Sequence, residues 1–235
     1  MATLKEGERA RFVQKMFARI SERYDLLNAV MSLGRDQSWR RFTAKLAAPT
    51  PVSFGLDVAT GTGDLAVALA ERSGRVIGLD FCAPMMEIGE SKPSFKKVKD
   101  KVAFITGDAL RMPFPDNTFD CVTIGFGIRN IDPPIEAFKE MHRVVRHGGR
   151  VACLEIMRPS NGPIGGAYKV YMDMIVPNLG RLLAKDGEAY RYLSDSVFNF
   201  FRPEELTAVM QEAGLQDVKY VTLHLGALAI HIGEK

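Results

Sequence analysis

The stretch Leu56-Asp57-Val58-Ala59-Thr60-Gly61-Thr62-Gly63-Asp64 decides how the rest of the chain reads. Its first half is an apolar run of strand length. Its second half turns through two glycines into the helix-forming run Leu65-Ala66-Val67-Ala68-Leu69-Ala70. A strand that passes through glycine directly into a helix is the opening unit of a sheet that binds ligands at the carboxyl ends of its strands. Gly61 and Gly63 let the backbone turn sharply and approach a ligand with no Cβ in the way. The next apolar segment, Arg75 to Leu79, ends at Asp80, where a carboxylate can accept both hydroxyls of a ribose.

Outward from this unit the alternation continues. Val102 to Thr106 and Phe119 to Phe126 read as the third and fourth strands, with a helix candidate after Pro84 between the second and third. A helix opens behind Pro133 and Pro134 and runs to about Arg146, a Gly148–Gly149 turn ends it, and Val151 to Met157 forms the fifth strand. Pro203 starts a last helix that stops near Gly214, and Val218 to Leu225 and Ala227 to Ile232 alternate like a hairpin. Near-continuous apolar strands separated by helices imply an α/β fold whose sheet is mostly parallel and covered on both faces. The expectation is a Rossmann-like sheet of seven strands closing with a C-terminal antiparallel hairpin. Residues 1–235 read as one domain with two additions. Residues 10–48 form an N-terminal helical cap, with Phe12, Val13, Met16, Phe17, Ile20, Tyr24 and Leu27 at helical spacing, before Pro49 and Pro51 break the chain. Residues 160–201, rich in Gly, Pro, Met and aromatics, form an insertion expected to lie over the substrate site.

Composition narrows the function classes. With 46% hydrophobic and 25% charged residues, a 235-residue chain buries a core without disulfides or metals. A net charge of +3 without a dense basic tract argues against nucleic acid, since Lys96, Lys97, Lys99 and Lys101 are interrupted by Asp100. Cys82, Cys121 and Cys153 read as buried free thiols of a reducing compartment, and no metal-ligand spacing exists among Cys and His. Neither a signal-like segment nor a span-length apolar run is present, so the expected location is cytoplasmic.

The glycine loop alone leaves two cofactors open, because Gly61-x-Gly63-x-x-Ala66 also satisfies the dinucleotide fingerprint of a nicotinamide-dependent oxidoreductase. Asp57 favours the other candidate. A carboxylate there suits the α-amino group of S-adenosyl-L-methionine (AdoMet) and would repel a pyrophosphate. Asp108, in Gly107-Asp108-Ala109 after the third strand, can accept from an adenine amino group. Phe119-Asp120-x-Val122 through Phe126, followed by Arg143-Val144-Val145-x-x-Gly148-Gly149, resembles the fourth strand, helix and turn of class I AdoMet methyltransferases.

Longer motifs carry a closer resemblance. Phe17-x-x-Ile20-x-x-x-Tyr24-Asp25-x-x-Asn28-x-x-x-Ser32-x-Gly34-x-x-x-x-Trp39-Arg40 is similar to the N-terminal signature of the demethylmenaquinone/ubiquinone-biosynthesis C-methyltransferase family. So are Pro113 to Asp120, Phe126-Gly127-Ile128-Arg129-Asn130 and Leu183-Ala184-Lys185-Asp186-x-Glu188-x-Tyr190-x-Tyr192-Leu193-x-x-Ser196. The match runs from about Phe12 to Gly233. It implies methylation of a ring carbon on a prenylated quinol, with demethylmenaquinol becoming menaquinol. Other lipid-like acceptors (a methoxy-polyprenyl-benzoquinol, a sterol or a phospholipid headgroup) are the alternatives within the same chemistry. The resemblance places AdoMet contacts on Thr62, Asp80, Asp108, Ala109 and position 125, often Ser in the family but Gly125 here. Tyr24 resembles the aromatic that closes over the cofactor's amino-acid end.

A quinol carbon becomes nucleophilic when a neighbouring hydroxyl loses its proton. Arg129 and Asn130, just after the fourth strand, are therefore expected to stabilise the developing phenolate and to hydrogen-bond a quinol oxygen. Arg129 is no ordinary base, because a guanidinium keeps its proton in proteins. Asp186, Tyr190 and Tyr171 in the insertion are the expected acceptor-binding side chains, within an apolar set suited to an isoprenoid tail. The row Arg11, Lys15, Arg19 and Arg23 is a candidate for transient contact with anionic lipid. The identity of the base and the oligomeric state stay open.

Overall fold

The computed structural model describes residues 8–48, 50–51, 53–158, 163–179 and 186–235. Helix α1 (Glu8–Met31) and α2 (Asp36–Ala47) come first. The expected helical stretch is thus two helices, split at Leu33 and Gly34, whose φ of 52° and 73° no α-helix accommodates. The sheet then begins with β1 (Phe54–Val58), α3 (Asp64–Ala70), β2 (Arg75–Asp80), α4 (Ala83–Ser91), the short α5 (Pro93–Lys96) and β3 (Val102–Thr106). It continues through β4 (Phe119–Gly125), a 3-10 turn at Ile128–Asn130, α6 (Pro134–Val144) and β5 (Val145–Ile156). The described part of the insertion holds α7 (Pro163–Val170), a π-turn (Tyr171–Ile175), α8 (Val176–Leu179) and α9 (Gly187–Phe198). Helix α10 (Pro203–Glu212), β6 (Gln216–Leu223) and β7 (Leu228–Glu234) complete the chain.

The seven strands form one sheet in the order β3-β2-β1-β4-β5-β7-β6. Pairing is parallel from β3 to β5, and β7 enters antiparallel between β5 and β6. The strand order reverses between β1 and β4, and such a switch point opens a crevice at the strands' carboxyl ends. The central strands are buried on both faces: Leu56, Val58, Leu79, Val122, Ile124, Val151 and Leu154 are all fully enclosed.

One boundary differs from the expected one. The helix ends at Val144 and the strand starts immediately, taking Gly148–Gly149 into β5 as an irregularity rather than a turn before it. Val145 pairs with Phe119, and the register then slips before Arg150 pairs with Cys121. A Cβ on Gly149 would lie 2.8 Å from the Asp120 carbonyl oxygen, so only glycine fits the slip. The three cysteines are buried and free.

Candidate functional site

Two cavities meet above the switch point. The first, of about 490 Å³, lies over the glycine loop and is walled by the ends of β1, β2, β3 and β4 with α1 above. Asp80 closes β2 and accepts from the amides of Gly61 (2.7 Å) and Cys82 (2.8 Å), which fixes the carboxylate at the wall. Burial pushes its pKa up. Asp108, Ala109 and Leu110 form the far end, where Asp108 accepts from the Leu110 amide at 2.9 Å. Gly61 has φ +57°, and a Cβ there would meet only Met85 Cε at 3.5 Å, so space stands open above it. Gly63, at φ +79°, answers a packing need instead: a Cβ would strike Phe104 Cζ at 2.4 Å.

Of the expected contacts, Thr62 and Gly125 line this cavity and Asp57 does not. Asp57 is only 1% exposed and is not in the cavity wall. Its oxygens accept from the hydroxyls of Thr60 and Thr123, each at 2.7 Å, and burial raises its pKa to about 6. It braces the loop from beneath, because its strand position points it into the sheet. Thr62 reaches the wall, but its hydroxyl is engaged, donating to Asp25 (2.7 Å) and accepting from Lys92 (2.8 Å). Lys92 also bonds Asp64 at 2.7 Å, so the end of α1, the loop and α3 are tied by one cation. At Gly125 a Cβ would meet Leu65 Cδ2 at 2.9 Å, so a side chain there requires the end of Leu65 to shift.

The second cavity, of about 480 Å³, lies between α1, α2, the insertion and the β6–β7 connection. Its wall is mainly apolar and aromatic. It shares Phe17, Tyr24, Arg40, Phe126 and Asn130 with the first cavity, so the two adjoin at these side chains. Tyr24 stands edge-on to Phe17, with ring centroids 5.8 Å apart. Arg129 lines this cavity while its guanidinium is ion-paired with Glu155, a fully buried acid on β5, and also donates to the Phe126 carbonyl. Its Nε is buried without a partner among the described residues. Burial raises the pKa of Glu155 against the pull of Arg129. Asn130 accepts from the Tyr192 hydroxyl at 3.2 Å, which leaves its amide N–H groups for another acceptor. His224 also lines the cavity; its Nε2 accepts from Trp39 at 3.1 Å, so the ring's proton sits on Nδ1.

Of the acceptor-binding candidates, Tyr171 lines the second cavity and donates to the Met31 carbonyl at 3.0 Å. Asp186 is placed away from both cavities: it caps α9 through the Ala189 amide and pairs with Arg19. The Tyr190 side chain and residues Leu183, Ala184 and Lys185 lie outside the described residues. Arg19 is thereby drawn from the basic row into pairs with Asp186 and Glu188. Sequence reasoning missed Glu155, Asp25 and Lys92, and assigned Arg40 no role. A lone acid inside Val151-Ala152-Cys153-Leu154-Glu155-Ile156 was the available signal for the first.

Solved structures share this architecture. An AdoMet-dependent methyltransferase from Thermotoga maritima, described as a possible histamine N-methyltransferase, superposes with a TM-score of 0.66 over 94% of this chain and 98% of its own, at 22% identity. The [4+2]-cyclase SpnF gives a TM-score of 0.69 over 95% and 94%, at 16% identity. At such identities the likeness establishes the fold alone, the class I AdoMet methyltransferase fold. The sequence goes further. The model of the ubiE/COQ5 methyltransferase family matches residues 1–235. A demethylmenaquinone methyltransferase of Roseiflexus castenholzii is 45% identical over 97% of this chain and 95% of the relative. A ubiquinone/menaquinone biosynthesis C-methyltransferase of Pseudomonas paraeruginosa is 40% identical over 98% and 91%. This chain belongs to the ubiE/COQ5 family and is an AdoMet-dependent methyltransferase.

Proposed function

We propose that this methyltransferase methylates a ring carbon of a prenylated quinol, converting demethylmenaquinol to menaquinol in menaquinone biosynthesis. The observation that carries the reading is the pair of adjoining cavities, one polar at its strand-end wall and one aromatic, that share Tyr24, Phe126 and Asn130. The first cavity fits AdoMet: Asp80 is fixed for a ribose, Asp108 and Ala109 for an adenine, and the room above Gly61 admits a close ligand. Bound there, AdoMet supplies an electrophilic methyl group.

The chain's own residues do the rest. Tyr24 and Phe126 keep water from the junction, where charge neutralisation between sulfonium and phenolate is favoured in a dry site. Arg129, locked by Glu155 and the Phe126 carbonyl, holds a fixed positive charge at the wall of the second cavity. A phenolate oxygen developing nearby is stabilised without reorganisation of the site. Asn130, held by Tyr192, has amide N–H groups to orient the second ring oxygen. The Nε2 of His224 is engaged by the Trp39 indole N–H. The acceptor's prenyl tail runs along Tyr168, Tyr171, Met172 and Val176.

No helix among the described residues is long and apolar enough to cross a membrane. The chain meets its lipid-borne acceptor by transient surface contact, supported by two bare leucines, Leu33 (87% exposed) beside the acceptor cavity and Leu225 (83%) next to His224. The test is incubation with methyl-labelled AdoMet and demethylmenaquinone in reduced and oxidised form. Label is expected in menaquinol from the reduced form only; equal labelling of the oxidised form refutes the phenolate mechanism. A polyprenyl-benzoquinol run in parallel reads the second acceptor suggested by the Pseudomonas relative's name.

A further inference from the structure

Arg40, on α2, is 5% exposed and sits where the two cavities share a wall. Its guanidinium makes no hydrogen bond to any described residue, and its Nε is buried without a partner. The nearest carboxylate, Asp36, is 3.8 Å from Nε, beyond hydrogen-bond reach, and its oxygens already accept from Ser32 (3.0 Å) and Gln37 (3.1 Å). The Phe126 ring lies 5.2 Å beneath, a contact to the cation's face that leaves the N–H edges free. Buried guanidinium groups satisfy their donors, and one that does not is held for a ligand or is a defect in the fold.

The place of Arg40 says which ligand. The strand order β3-β2-β1-β4 puts Asp108 at one end of the cofactor cavity and Gly125 at the other. Arg40 Nη1 lies 3.8 Å from where a Gly125 Cβ would stand, beside Leu65, and its charge is felt by Asp57 beneath the glycine loop. Among the described residues two cations line this cavity, Arg9 and Arg40. Arg9 is spent on Asp132 (2.9 Å) and the Arg129 carbonyl (3.1 Å). A developing quinol oxyanion is served by Arg129 in the other cavity.

We propose that Arg40 binds the α-carboxylate of AdoMet, clamping the amino-acid end of the methyl donor at the junction of the two cavities. The inference rests on the cofactor reading above and deepens it. A planar guanidinium supplies the paired donors that a carboxylate accepts, and fixing that end fixes the sulfur relative to the acceptor wall.

Calorimetric titration with three ligands tests it: S-adenosylhomocysteine, its decarboxylated form, and 5′-methylthioadenosine, which lacks the amino acid. Arg40→Met is expected to weaken S-adenosylhomocysteine binding by about 10- to 100-fold. It should leave the two carboxylate-free ligands within about twofold of wild type. Arg40→Lys, which keeps the charge without the fork, should recover part of the loss. Unchanged binding of S-adenosylhomocysteine by Arg40→Met overturns the proposal, as does a raised KM for the quinol alone. Should the variant bind no ligand because it misfolds, the wild type decides: tighter binding of S-adenosylhomocysteine than of its decarboxylated form supports the clamp, and equal binding overturns it. Wild-type protein that binds none of the three refutes the cofactor reading itself, a separate failure.

Discussion

Asp57, next to last in β1, and Asp80, last in β2, stand on neighbouring strands, yet one is a brace and the other a wall. Asp57 has its folded pKa raised by burial to about 6, above the unfolded value of 3.8. The folded protein therefore holds that proton more tightly than the unfolded chain, and stability falls as pH rises from about 4 to about 6. The cost at neutral pH is about 3 kcal/mol. Asp57→Asn should remove most of that decline, read by urea unfolding at pH 4.5 and pH 7 on both proteins. An identical pH dependence in the two would show that Asp57 stays ionised throughout. Arg129 and Glu155 pose a different question, because a buried ion pair serves structure and chemistry together. Arg129→Met should cost about 3–5 kcal/mol by stranding the buried carboxylate. It should also lower kcat by about 100-fold or more. Adding Glu155→Leu should restore stability and leave kcat low. A double variant that regained turnover would reduce Arg129 to a structural role.

At the scale of elements, the β1-to-α3 turn is where backbone geometry and site coincide. Its two glycines look equivalent in sequence and are not so in the fold. Gly63→Ala sets a Cβ into the Phe104 ring at a left-handed φ, and should lower stability by about 2 kcal/mol or more in a thermal melt. Gly61→Ala carries the same φ strain without the clash. It should melt closer to wild type yet lose more affinity for S-adenosylhomocysteine, because its methyl occupies room kept for a ligand. Reversal of that order would mean Gly61 is the packing glycine. Lys92 completes this unit from the far end of α4, joining Asp25 on α1 to the loop. For Asp64 burial acts to raise the pKa, but the cations of Lys92 and Arg40 outweigh it and the net shift is downward.

At the scale of the molecule, the parallel half of the sheet builds the first cavity, proposed for AdoMet, and the additions build the second, proposed for the acceptor. Cap, insertion and hairpin each give a wall, and the exposed tips at Leu33 and Leu225 hold left-handed φ of 52° and 57°. The paired variant Leu33→Asp with Leu225→Asp should sediment less with phosphatidylethanolamine/phosphatidylglycerol vesicles than wild type, while binding S-adenosylhomocysteine equally well. Vesicle binding that instead follows charge reversal of Arg11 and Lys15 would move the contact to the face of α1.

How much of this was legible in the sequence follows from the range over which each feature is decided. Strand and helix identity, the glycine turn, Asp80 and the closing hairpin rest on local periodicity and on residue types that permit few backbone shapes, so the linear chain determined them. The class of reaction followed from motifs long enough to be distinctive. What the tertiary structure decided was which polar groups stay free. Asp57 and Thr62 read as ligand contacts; folding brought Thr123 to the first and Asp25 and Lys92 to the second from distant segments, and only Thr62 lines the cavity. The meaning of Glu155 and Arg40 came from what surrounds them: a cation bonded to one, and for the other no hydrogen-bond partner among the described residues. Whether a buried charge is satisfied depends on neighbours far away in sequence, so only the folded arrangement could show it.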